Sequence, residues 1–162
     1  VLLGAISSAR ESIRIQTPYF VPDAALISAL SVAALRGVRV DILLPSRGNI
    51  SMAQWASRAM LWQLLRPGCG VYLSPPPFDH AKLMVVDSSW ALIGTTNWDA
   101  RSLRLNFELD VECYDEQLAR SLYDLIGGRI AESQPFTLAD ADGRSFPERV
   151  RDALARLLTP YL

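Results

Sequence analysis

The stretch His80-Ala81-Lys82-Leu83-Met84-Val85-Val86-Asp87-Ser88-Ser89-Trp90-Ala91-Leu92-Ile93-Gly94-Thr95-Thr96-Asn97 decides how this chain folds. Two apolar runs flank the turn residues Asp87-Ser88-Ser89, so 80–86 and 90–95 read as the arms of a β-hairpin. Upstream, Pro75-Pro76-Pro77 is a stiff lead-in, 71–74 a short strand and Pro67-Gly68-Cys69-Gly70 a turn. Further back, 38–44 reads as a buried strand and 13–17 as an alternating one. Downstream, 109–114 alternates and predicts another strand. Helices are expected at the start of the chain (1–11), from the N-cap Asp23 to about 36 with Gly37 closing it, over 51–66, over 116–131 and over 147–158. Strands alternating with helices predict an α/β fold with helices on both faces of the sheet. The tight hairpin makes that sheet mixed.

Composition sets the bounds. The 162 residues suit one domain with one sizeable core, and 50% hydrophobic with 20% charged residues is globular composition. A net charge of −1 offers no broad positive field to nucleic acid. Cys69 and Cys113 lie far apart without metal spacing and read as inert. No apolar run reaches the roughly 18 residues of a membrane span, and the first residues do not read as a signal peptide. Val1 opens inside a helix-like stretch, which reads as a piece of a longer protein. The tail, 133–162, predicts helix but carries no motif.

The chemistry sits on the hairpin. Strand alternation puts His80 and Lys82 on one face, with Leu83, Val85 and Asp87 on the other. Imidazole attacks phosphorus or moves a proton near neutral pH, and an ammonium neutralises charge building on a phosphate oxygen. Thr95 and Asn97 again share a face and can donate to phosphate, with Gly94 letting the backbone come close. In Asn106-Phe107-Glu108-Leu109-Asp110-Val111-Glu112 the acids take one face and the apolar residues the other. A carboxylate there is placed to hold the second ring nitrogen of the histidine and favour imidazolium.

His-x-Lys-x4-Asp-x6-Gly-Thr-x-Asn resembles the signature of the phospholipase D superfamily at every fixed position. Thr17 to Asp23, Asn97 to Leu103 and Leu105 to Leu109 look like cardiolipin synthases, and the likeness covers about 1–132. The resemblance implies a two-step transfer needing no metal and no cofactor. One histidine forms a phosphohistidine, and another protonates the leaving alcohol and then activates the acceptor. By analogy His80, Lys82, Thr95 and Asn97 contact phosphate, and Glu108 orients His80. Asp87 belongs to the catalytic motif, but its parity points to a structural part in the hairpin. The implied substrate is a phospholipid such as phosphatidylglycerol. The implied setting is the surface of a bacterial inner membrane, peripheral or facing the cytoplasm.

Such a site takes two histidines, one per lobe, and this chain has one. The second comes from another lobe of the same longer chain or from a homodimer mate. As a second lobe, the chain would use His80 as acid and base rather than nucleophile. The rivals are a homodimeric phospholipase or nuclease, and a silent phosphate- or lipid-binding module. Thr17-Pro18-Tyr19 reads equally as a plain turn or as the rim of the site. Asp99, Arg101 and Ser102 read as a scaffold at a helix start. Met52, Trp55, Ala59, Trp62 and Leu65 read as a core stripe, with lipid contact by the tryptophans as the alternative.

Overall fold

The computed structural model describes residues 1–158. In chain order the elements are α1 (Leu2–Ser8), β1 (Ser12–Gln16), β2 (Phe20–Val21), α2 (Ala24–Leu35), β3 (Arg39–Pro45), α3 (Ser51–Arg58), α4 (Trp62–Leu65), β4 (Gly70–Ser74), β5 (Leu83–Val86) and β6 (Trp90–Gly94). They continue with β7 (Trp98–Asp99), α5 (Ala100–Arg104), β8 (Asp110–Cys113), α6 (Glu116–Ala131), β9 (Gln134–Pro135), α7 (Leu138–Asp142) and α8 (Phe146–Leu157).

Seven strands form one mixed sheet in the order β8-β6-β5-β1-β3-β4-β9. β1 lies at its middle, parallel to β3 and antiparallel to β5. Its apolar residues face one way. Ile13 and Ile15 join Val40, Ile42, Leu44, Met84 and Val86 in the larger core, beneath α1, α2, α3 and α4. Leu43, Val85 and Ala91 face the other way and pack on α6 through Ala119, Leu122, Tyr123 and Ile126. Burial on both faces explains why β1 and β3 are almost wholly sequestered. Arg14 and Gln16, alternating with the isoleucines of β1, put buried polar groups on the α6 side.

Asp23 caps α2, accepting from the Leu26 N–H at 3.0 Å. Gly37 follows with φ of +91°, the left-handed conformation that suits glycine. Asp87 and Ser88, at φ 50° and 51°, turn β5 into β6. The three-residue connection thus holds a turn with both central residues left-handed, closed by the Ser89 N–H on Val86 O at 3.1 Å.

Four expectations change. The helix over 51–66 breaks: the Met60 N–H bonds Ser57 O at 2.9 Å, a tightened turn that buries Met60 and Leu61. The Met52 to Leu65 stripe is only partly the core face: Trp55 and Leu65 pack half-buried against the core, Met52 is exposed, and the buried positions are Ala53, Ala56, Met60, Leu61 and Leu64. The first hairpin arm starts at Leu83, not at 80, because β1 ends opposite it at Gln16. The strand over 109–114 shrinks to an edge strand, with Leu109 and Val111 exposed alongside the acids. Sequence periodicity also passed over β2, β7, β9 and α7. They are two to five residues long and carry no repeat to detect.

Candidate active site

His80 and Lys82 stand in the segment leading into β5. Lys82 O still accepts from the Gly94 N–H at 3.2 Å, which anchors the segment to the end of β6. The Lys82 ammonium donates to the His80 carbonyl at 2.9 Å and sits 3.2 Å and 3.3 Å from the two ring nitrogens. Lys82 is buried and His80 exposed, so the lysine backs an accessible imidazole. The two do share a face, though a loop rather than strand alternation puts them there.

Burial, and then the Lys82 charge, lower the His80 pKa, with Asp79 opposing. Burial likewise lowers that of Lys82, while the carboxylates of Glu108, Asp79 and Asp99 favour its charged form. The neutral imidazole is therefore favoured in the free site. This reverses the expectation of a carboxylate holding the ring as imidazolium. Glu108 instead accepts from the Thr95 hydroxyl at 2.5 Å and from the Asn106 amide at 3.1 Å. The Thr95 bond is the main cause of a lowered Glu108 pKa. Its influence on the pair runs through Lys82.

Thr95 and Asn97 follow β6. The Thr95 hydroxyl also accepts from the Leu109 N–H at 3.0 Å. Asn97 donates to the Ser102 hydroxyl at 3.2 Å, and Asn97 Oδ1 is buried with no hydrogen-bond partner among the described residues. Ser102 also faces Glu108, so Asn97, Ser102, Glu108 and Thr95 form one polar chain beside Lys82. Asp99 caps α5 through the Ser102 N–H at 2.7 Å, the scaffold part expected of it. Gly94 serves another purpose than the one expected. A Cβ there would meet Asp110 Oδ1 at 1.7 Å, so the close neighbour is a carboxylate that also accepts from the Thr96 N–H.

Asp87 does not join this group. It lies at the opposite end of β5, where its carboxylate accepts from the N–H groups of Arg10, Glu11 and Ser12 at 2.8–2.9 Å. Burial alone would raise its pKa, but these donors outweigh burial and lower it. The motif aspartate is a tie between the hairpin and the start of β1.

The rim contains residues that the sequence left open or did not reveal. Tyr19 meets the His80 ring edge-on, with centroids 6.0 Å apart, and Phe78 lies 5.9 Å from it. The parallel pairing of β2 with β7 holds this rim against the Asn97 segment, with Phe20 stacked on Trp98. That favours the rim reading of Thr17-Pro18-Tyr19. Asp79 divides its oxygens, one accepting from the Ala81 N–H at 2.8 Å and the other meeting Arg129 of α6 and Gln16 of β1 at 2.8 and 2.9 Å. Arg129 also donates to Gln16 at 2.7 Å. A cavity of about 370 Å³ opens between this network, His80 and Pro75-Pro76-Pro77. The Arg14/Gln16 alternation was the one sequence signal for it, because polar residues in a central strand need partners.

The profile of the cardiolipin synthase phospholipase D-like domain matches residues 2–126. The chain belongs to this family. It is 40% identical to the major cardiolipin synthase of Bacillus subtilis over 97% of its length, and spans about a third (33%) of that relative. Among solved structures, a phospholipase D family member, Nuc from Salmonella typhimurium, superposes with a TM-score of 0.73 at 27% identity. That match covers 84% of this chain and 88% of Nuc. Phosphatidylserine synthase from Haemophilus influenzae shares the fold, with a TM-score of 0.76 at 18% identity over all of this chain and 44% of the other. The phospholipase D-like α/β lobe expected from the hairpin motif is thus established.

Proposed function

We propose that this lobe supplies one of two histidine centres of a phosphatidyl transferase that makes cardiolipin from two phosphatidylglycerol molecules and releases glycerol. The observation that carries the reading is the His80–Lys82 pair: an exposed imidazole, favoured neutral, backed by a buried ammonium. One histidine attacks the phosphorus of the first lipid while the other protonates the departing glycerol oxygen. The hydroxyl of the second lipid then gives its proton to that same base and displaces the phosphohistidine, returning the first histidine. His80 is assigned the acid and base part. Phosphate bound beside it offsets the Lys82 charge and raises its pKa toward a value useful for both steps.

The second histidine comes from another lobe, since this chain has only His80. Relatives three times as long leave ample length for one. An exposed apolar run along the edge, Leu105, Phe107, Leu109 and Val111, supports a partner lobe near the Glu108 side. A homodimer is the second reading, favoured by the match to nearly all of Nuc, a chain about one lobe long. No described helix is long and apolar enough to cross a membrane. The lipid substrate of this reading assigns the lobe to a membrane surface, peripheral or facing the cytoplasm.

The test is turnover of phosphatidylglycerol in mixed micelles by this chain at a measured solution mass. The monomer is expected to be silent. Robust turnover by a demonstrated monomer, abolished by His80→Ala, would refute the two-histidine reading.

A further inference from the structure

The last helix is inside out. In α8 the apolar residues Phe146, Val150, Leu154 and Leu157 are 80, 42, 58 and 74% exposed. Their spacing places them on a single stripe. The inward side carries Asp152 and Ala155 instead, at 0 and 5%. Asp152 is held by Arg144 and Arg151, both at 2.7 Å. The ion pairs tie Asp152 to its own helix and to the turn before it, while Ala155 in the main core and Arg151 over the Trp55 ring of α3 hold the helix to the body. An ordinary surface helix buries its apolar stripe; this one presents it.

Beside the stripe runs an open groove of about 960 Å³, whose lining includes Trp62, Arg66 and Arg149. The Arg66 guanidinium lies over the Trp62 ring at 4.6 Å. Of the nearby acids, Asp142 also lines the groove, and Glu148 is tied up by the Ser145 N–H and hydroxyl at the helix start. α8 runs antiparallel to α3, because Arg151 meets Trp55 and Glu148 faces Arg58. The Leu157 end of the stripe therefore lies toward the start of α3 at Ser51. Just before it, Asn49 accepts from the hydroxyl of Tyr19, the residue against His80.

We propose that the α8 stripe and the Trp62–Arg66 groove seat this lobe on an anionic phospholipid surface. An apolar stripe flanked by arginine suits the boundary between head groups and acyl chains, and guanidinium pairs readily with phosphate. A second copy fits less well. A two-fold contact would set this patch on itself and bring arginine against arginine. Seated this way, the stripe leads from the lipid surface toward the His80 end. The inference rests on the lipid reading of the site but names a surface apart from it.

The experiment is co-sedimentation of the chain with vesicles of phosphatidylglycerol and phosphatidylcholine, against phosphatidylcholine alone. Binding only to the anionic vesicles, falling with salt, is expected. Leu154→Asp and, separately, Arg149→Glu should each weaken it at least tenfold while circular dichroism and melting temperature hold. His80→Ala should bind as the parent does, so failure of the catalytic reading and failure of this one are told apart. Equal binding to both vesicle types, or binding untouched by both α8 substitutions, would overturn the proposal. So would a solution dimer that Leu154→Asp dissolves in a chain that never sediments with vesicles.

Discussion

The two ends of β5 carry the two halves of one motif, and they are built on opposite principles. At the Asp87 end a charge is fully engaged, with three backbone N–H groups converging on one carboxylate. At the His80 end the lysine is buried, but the imidazole it touches is exposed and, among the described residues, hydrogen-bonded to no carboxylate. Saturated hydrogen bonding stabilises a turn. An accessible ring beside a buried ammonium leaves capacity for a ligand to take up. Side chains seven positions apart in one signature thus serve the fold and the chemistry separately.

Substitutions at the two ends should separate in the same way. On the proposed two-lobe reading, His80→Ala in the full-length protein should lower cardiolipin formation by about 10²–10⁴-fold, the usual weight of a positioned acid or base. Its melting temperature should barely move. A loss explained by unfolding would erase the contrast.

A smaller effect is expected at the clamp behind the histidine. Arg129→Ala frees Asp79 and Gln16 without touching the ring, and misplacement of the His80 segment should cost on the order of tenfold to a hundredfold in kcat. A pure KM effect would place Arg129 in substrate binding instead.

Asp87→Ala should reverse the pattern, costing about 1–2 kcal/mol of stability by urea titration while the folded fraction keeps most of its activity. Its pH dependence has a definite sign. A carboxylate whose folded pKa is lowered stabilises above its unfolded pKa, about 3.9, and that stabilisation fades as pH falls through the folded value. Asp87→Asn should therefore flatten the acid limb of the stability curve. An unchanged acid limb would mean the three bonds are not made in solution. The smallest effect expected is none: chelation with EDTA should leave turnover intact, and a loss restored by magnesium or zinc would overturn the metal-free mechanism.

Most of the scaffold was legible in the chain because its long elements repeat. α2 and α6 carry caps and helical spacing, and the central strands carry apolar runs. The motif fixed which residues matter at the hairpin. Their arrangement was less legible, since it depends on partners distant in sequence. Glu108 was expected to hold His80, but Thr95 and Asn106 lie nearer to it in the fold and take its oxygens. Nothing in the sequence marks Asp79, whose partners, Arg129 fifty residues on and Gln16 in the first strand, meet it only in the fold. The outward stripe of α8 was invisible for a different reason. An amphipathic pattern states that a helix has an apolar side, while the burial of Ala155 in the main core, with Asp152 beside it, shows which side faces in.

The most direct measurement is the titration of His80 by NMR, with and without inorganic phosphate. His80 is the only histidine, so its ring signals need no assignment among rivals. Without phosphate the account predicts a pKa below the ordinary histidine value, because burial and Lys82 oppose the charge. Added phosphate should raise it, since an anion bound against the ammonium and the ring favours imidazolium. A pKa that phosphate does not move, with phosphate well above millimolar, would contradict a phosphate site at the His80 end of β5.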